Sequence, residues 1–227
     1  MRNFPTSQLL AVIASLVVAA PQTIHGQQLQ SDTSSWSDRI PSGGTLSISN
    51  FNGHVRVESG DVDEVQVTVI KSWRTGNPDA VSFDIRRYGA GDRNVLICAN
   101  WKRLTLSCSP GSYAVNNDGS NDTRVDFIVT IPRKLNVSAA TVNGNVGVSD
   151  VDGAVSGSTV NGNIVVALSR NPDADLHLSS VNGTFASDFD LPINRRLQRG
   201  TTVATLGRGG RNISLSTVNG QMKLARL

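Results

Sequence analysis

The sequence predicts an all-β protein: a single-stack β-solenoid of short strands that turn at Val-Asn-Gly corners. Three observations predict it. First, one unit recurs: an alternating apolar arm, then Thr/Ser-Val-Asn-Gly, then a second alternating arm. Its copies end at Asn143-Gly144, Asn161-Gly162, Asn182-Gly183 and Asn219-Gly220. A weaker copy ends at Asp152-Gly153, and an early relative at Asn52-Gly53. Second, the turns at 143, 152, 161, 182 and 219 lie 9, 9, 21 and 37 residues apart, which sets a coil of 18 to 21 residues with a turn about every nine. Third, Val, Ser, Asn, Gly and Thr are frequent, and these residues favour strands and tight turns. Self-similarity of this kind points to stacked supersecondary units, none of which buries its inner face alone. Stacking places Val142 near Val160, Val181 and Val218 as an internal column, and files Asn143, Asn161, Asn182 and Asn219 along one ridge. The alternative is an antiparallel meander or sandwich. There each Asn-Gly is a two-residue type I′ turn with positive φ at both central residues, and Thr217 faces Met222.

Residues 1–26 have the form of a secretory signal peptide. Arg2 opens it, and Leu9 to Ala20 is an uninterrupted apolar core, too short for the roughly 20 residues that span a bilayer. Cleavage after Gly26 removes one positive charge from the formal +3 and leaves +2, too mild a balance to imply nucleic acid. Nothing after the leader is apolar enough for a membrane helix. Residues 27–42 are polar, read as a linker, with Trp36 as one anchor. The domain then runs from 43 to 227, an irregular half (43–131) followed by the repeats (132–227). In the first half, alternation marks strands at Leu46–Ile48, Val55–Val57, Val65–Val69, Val81–Ile85 and Val95–Cys98. Tyr113 to Asp122 reads as a surface loop; Asp118 and Asp122 lack the ligand pattern of a calcium loop. Arg124 to Ile131 is a strand stopped by Pro132.

Cys98 and Cys108 are the only cysteines. In an exported protein an even count favours a disulfide, and their spacing is far from the Cys-x-x-Cys of redox or zinc sites. Closing so short a loop stabilises the fold by about 2–3 kcal/mol in the chain-entropy model.

The run from Leu46 to Gly53, the Ile131-Pro132 step, the Val-Asn-Gly series and the ending Ile213 to Gly220 resemble the bacterial putative-adhesin domains of unknown function. The resemblance covers roughly Pro41 to Leu227. It implies an exported β-solenoid, with adhesion as the proposed role, and brings no catalytic residues.

Candidate chemistry is sparse. His54 and His177 are isolated on alternating strands. Asp150, Asp152, Asp173, Asp175, Asp188 and Asp190 offer carboxylates for an acidic groove, as glycoside hydrolysis requires, but turn aspartates mostly serve the turn. No Ser stands in Gly-x-Ser-x-Gly. Pro192 to Gly210 breaks the repeat as an excursion. Arg195, Arg196, Arg199, Arg208 and Arg211 make it and its flank a candidate anion-binding arm; the alternative is a solvated, charged loop. The function expected is a non-enzymatic, adhesin-like or envelope-scaffolding protein, periplasmic, cell-surface or secreted, that needs no cofactor or metal and meets extended partners. Those partners are cell-envelope glycans or other surface proteins, with self-association through the C-terminal coil. The alternatives are a β-helical enzyme acting on an acidic polysaccharide and a periplasmic protein-interaction accessory. Thiol titration of the unreduced mature protein is expected to find no free thiol; two would remove the disulfide.

Overall fold

Alternation of small β-branched and polar residues gives strands with one apolar side, and the structure, a computed structural model, joins them in one curled mixed sheet. It describes residues 28–101, 108–111, 121–191 and 200–227. Residues 1–27, with the leader, 102–107, 112–120 and 192–199, with Arg195, Arg196 and Arg199, lie outside the described residues; the rest of the expected excursion Pro192 to Gly210 is described, and its 200–206 part is a strand paired with the sheet. The strands are β1 (Gln30–Asp38), β2 (Thr45–Ser49), β3 (Val55–Gly60), β4 (Val65–Trp73), β5 (Val81–Tyr88), β6 (Asn94–Trp101), β7 (Arg124–Pro132), β8 (Asn136–Asn143), β9 (Val146–Ser149), β10 (Val155–Asn161), β11 (Ile164–Leu168), β12 (Ala174–Ser187), β13 (Gly200–Leu206) and β14 (Arg211–Arg226). The described residues include no α-helix, only two short 3-10 turns at Pro78–Ala80 and Ala90–Asp92.

Five units of two arms and a corner lie side by side in parallel. Their corners follow the order Asn52, Asn143, Asn161, Asn219, Asn182. Equivalent apolar residues face one another down this row. The first arms align Leu46, Val137, Val155, Ile213 and Leu176. The second arms align Val55, Val146, Ile164, Met222 and Phe185. All ten are buried. At about 25 cal/mol per Å² of apolar surface, such continuous columns supply the main stabilising term of the fold.

Each corner has its own chemistry. The residue two before Asn points inward: Thr141, Thr159, Thr217 and Ser180 are all buried. A buried hydroxyl needs a partner, and three of the four have one across the stack. Thr141 Oγ1 donates to Gly53 O at 3.0 Å, Thr159 to Gly144 O at 2.9 Å and Thr217 to Gly162 O at 3.4 Å. The internal column at the corner is therefore threonine, not valine. Val142 is buried, Val160 and Val218 are half-buried, and Val181 is exposed. The asparagines form a ladder: Asn161 Nδ2 donates to Asn143 Oδ1 (2.9 Å), Asn219 Nδ2 to Asn161 Oδ1 (2.9 Å) and Asn182 Nδ2 to Asn219 Oδ1 (3.2 Å).

The corner glycines are there for proximity. A Cβ on Gly144, Gly162 or Gly220 would overlap the carbonyl of Gly53, Gly144 or Gly162 in the adjoining unit. No corner asparagine has positive φ; Asp92 and Asp150 are the non-glycine residues that do. The Asn-Gly pairs are thus not type I′ hairpin turns, and the two arms of a unit pair with neighbouring units instead of each other. Asp152-Gly153 is not a weaker member of this ladder. It turns the chain back at the opposite corner, where Asp152 N donates to Arg133 O at 2.8 Å.

Three features depart from a simple stack. Antiparallel strands flank it: β4 pairs with β7 and carries β1 on its outer edge, β5 pairs with β6, and β13 pairs with β12. The polar stretch expected as a linker is β1, pinned by main-chain pairing with β4 and by Trp36 packing on the core; its sequence does not alternate, so it carried no strand signal. The units also stack out of sequence order. The unit holding β14 enters between the Asn161 unit and β12. Because β13 takes the outer edge of β12 from Ala174 to Ser180, the next parallel strand must pair with its inner edge. Both edges of the C-terminal coil are therefore paired within the sheet, to β10 and β11 on one side and β12 on the other.

Cys98, buried on β6, is bridged to Cys108 with Cα atoms 6.3 Å apart. Edge-on aromatic pairs, Phe51 with Trp101 and Phe83 with Phe127, close the core at this end.

Urea denaturation checks the corner argument. Gly162→Ala is expected to destabilise by more than about 1 kcal/mol, whereas Gly147→Ala, whose Cβ meets nothing within 4 Å, is expected to stabilise by about 0.4–1 kcal/mol. Leu215→Ala, inside the enclosed unit, is expected to cost about 2–5 kcal/mol.

Candidate functional site

The outward side of the second arms carries the broadest set of exposed, mutually registered side chains. Its first row follows the corners. The residue after each Asn-Gly is polar: His54, Asn145, Asn163, Gln221 and Thr184. Three of these side chains, His54, Asn145 and Asn163, accept from the backbone of the next unit. Asn145 N donates to His54 Nδ1 at 2.8 Å, Asn163 N to Asn145 Oδ1 at 2.9 Å and Gln221 N to Asn163 Oδ1 at 2.8 Å. At the near end His54 N donates to Asp126 Oδ1 (2.7 Å), and Arg124 Nε pairs with the same carboxylate at 2.9 Å. Sequence reasoning missed this second ladder. Its signal was the amide or imidazole immediately after Asn-Gly in four units.

The second row aligns Thr68, Ile128, Arg56, Gly147, Val165 and Lys223. Ile128 and Val165 are 43% and 40% exposed, unusual for aliphatic residues in mid-sheet. Gly147 has no side chain between them, and a concavity of about 660 Å³ opens there, bounded also by His54, Arg56 and Ile70. The third row continues it with Thr130, Glu58, Ser149, Ala167 and Ala225. A shallow apolar strip, with Arg56 and Glu58 on its floor and a polar ladder along one side, suits an extended ligand rather than a compact one.

His54 is held neutral. Burial pushes its pKa below the ordinary value, the Arg124 guanidinium pushes it the same way, and Asp126 opposes both. Its Nδ1 is also occupied as an acceptor, so protonation breaks the bond from Asn145 N.

The other sequence candidates are engaged elsewhere. Arg208 pairs with Asp173 through Nε (3.2 Å) and Nη2 (3.0 Å), and Arg211, half-buried, donates to Val151 O. Neither is held as a free anion ligand. The Asp173 carboxyl is lowered, first by the Arg208 backbone N–H. Asp175 accepts from Gly210 N (2.9 Å) and Thr205 (3.2 Å), and Asp188 pairs with Lys223 at 3.2 Å. Asp150 pairs with Arg133. Asp122 staples the 74–76 segment by accepting from Arg74, Thr75 and Gly76 N–H. His177 lies exposed on β12, remote in register from His54. The described residues hold no cluster of three His, Cys, Asp or Glu side chains able to bind a metal, nor a helix long and apolar enough to cross a membrane.

The arrangement defines a class: an all-β protein whose registered outer face presents a shallow strip. Among solved structures it is similar in fold to a "putative cell adhesion protein" from Clostridium sporogenes, with a TM-score of 0.53 and 6% identity over 87% of this chain and 100% of that one. Weaker likenesses are to structures described as a "putative adhesin" from Parabacteroides merdae (TM-score 0.29, 13% identity, 68% of this chain and 63% of that one) and from Bacteroides fragilis (0.27, 8%, 86% and 97%). No family model matches the sequence, and no curated protein does.

The neutral His54 gives a pH signature. A lowered folded pKa means the contribution of His54 is fully present above the unfolded value of about 6.5 and is lost as pH falls below it. Urea midpoints measured from pH 8 to pH 5 are expected to fall in that window, and His54→Gln is expected to flatten this part of the fall.

Proposed function

We propose that the chain is an exported, non-enzymatic, adhesin-like or envelope-scaffolding protein. In this reading the five parallel units act as a short β-solenoid, and their outward face binds an extended cell-envelope glycan or surface protein. The observation that carries it is the strip between Ile128 and Val165, where exposed aliphatic side chains flank the open space at Gly147. Arg56 and Gly147 lie between the two in register, so the space combines two aliphatic side chains, a guanidinium and the polar ladder beside it. Export is supported by the form of the leader and by the Cys98–Cys108 bridge, since disulfides persist in oxidising compartments. The description of the Clostridium sporogenes neighbour agrees with an adhesive role. The non-enzymatic reading is supported by the carboxylates themselves: Asp150, Asp173, Asp175 and Asp188 are each tied to a cation, a backbone amide or both.

A binding screen of the mature chain against envelope glycans and matrix proteins tests this. The double variant Ile128→Asp, Val165→Asp is expected to weaken any hit by at least about tenfold while leaving the urea midpoint nearly unchanged, because both side chains are exposed. Unchanged binding would remove the strip from the function. Cleavage of a glycan, lost in Asp188→Ala and Asp190→Ala, would overturn the non-enzymatic reading.

A further inference from the structure

The stack is unfinished at one end. β13 covers the outer edge of β12 only from Ala174 to Ser180, and beyond that point no described strand pairs with this edge. Asp188 N donates inward to Leu224 O, so by alternation along a parallel strand the amides of Gly183, Phe185 and Ser187 point outward. In the other units the same groups are taken by the next unit. Gly53 N donates to Asn143 O (2.9 Å), Gly144 N to Asn161 O (3.1 Å) and Gly162 N to Asn219 O (3.1 Å). Two residues further on, Val55 N donates to Asn145 O and Val146 N to Asn163 O, both at 2.9 Å. The asparagine ladder runs in one direction, each Nδ2 donating to the previous Oδ1, so among the described residues it ends at Asn182, whose Oδ1 accepts from none of them.

We propose that the edge from Asn182 to Ser187 docks one further parallel strand, supplied by a partner polypeptide that reads Asn-Gly-x-apolar-x-apolar. The spacing of the outward N–H and C=O groups calls for a peptide backbone, as in strand addition to a sheet edge. The partner's Asn Nδ2 fits the Asn182 Oδ1. Its Asn carbonyl accepts from Gly183 N, and the carbonyl two residues on accepts from Phe185 N. Glycine is required after the partner's Asn for the reason that holds inside the stack, since a Cβ there overlaps the neighbouring glycine carbonyl. β13 excludes the partner's first arm, so the docking segment begins at its corner. This edge is separate from the strip at Ile128 and Val165, and the two fail independently: the double aspartate variant leaves the edge intact.

The probe is a synthetic peptide with the sequence of Val218–Arg226, added to the full mature chain. Saturable binding and slowed amide exchange at Gly183 and Phe185 are expected. A peptide with the Gly220→Ala change is expected to bind at least about tenfold more weakly, and Asn182→Ala in the chain to weaken binding several-fold. Exchange that is unaltered at both amides under saturating peptide would overturn the proposal. So would equal binding of the alanine peptide, or full protection of those two amides in the chain alone.

Discussion

Glycine at the Asn-Gly corner is the constraint on which the rest depends. Successive corners approach so closely that a methyl group on Gly144, Gly162 or Gly220 would occupy the position of a neighbouring carbonyl oxygen. That contact brings the Asn side chains within hydrogen-bonding distance and lets each inward Thr hydroxyl reach a glycine carbonyl across the stack. With corners locked in register, the arms on both sides have no freedom to slip. A slip of one residue would turn every apolar side chain outward. The columns of Val, Ile, Leu and Met are thus the consequence of corner geometry as much as its cause.

The same constraint organises the surface. The polar side chains after three of the Asn-Gly pairs, His54, Asn145 and Asn163, accept from the next backbone, which makes a second ladder along the outside. Two residues later the pattern loosens. There the row admits an isoleucine, an arginine, a glycine and a valine, and the face stops being uniform. The Clostridium sporogenes likeness bears on the fold, since 6% identity carries nothing about individual side chains.

Much of this was legible in the sequence. The alternating runs and the repeat arms marked strands near their observed places, from Leu46–Ile48 onward, because one-sided burial writes a period of two into the chain. The asparagine ridge was legible because identical residues gain from facing one another. The stacking order was not. Asn182 precedes Asn219 in the chain and follows it in space, and that inversion is set by β13, a strand that lies inside the stretch Pro192 to Gly210 read as an excursion. β1 was hidden for a different reason: its Ser, Thr and Asp side chains are nearly all exposed, so its backbone pairing leaves no trace in hydropathy. Val and Thr exchanged roles at the corner because their shapes are almost the same, and only the carbonyl across the stack distinguishes them. For the candidate site, the ladder after Asn-Gly was readable in principle, while the strip was not, since its residues come from β7, β3, β9 and β11.

The late arrival of β14 bears on how the molecule assembles. The hairpin of β12 and β13 is joined to the rest of the sheet through a segment synthesised after both of them. Until that segment is delivered, two aligned edges face an empty slot, and the hairpin has nothing to zip onto. Cooperative closure therefore waits for the strand that follows both of them in the chain. β14 is thus the piece that makes two separate fragments of sheet continuous.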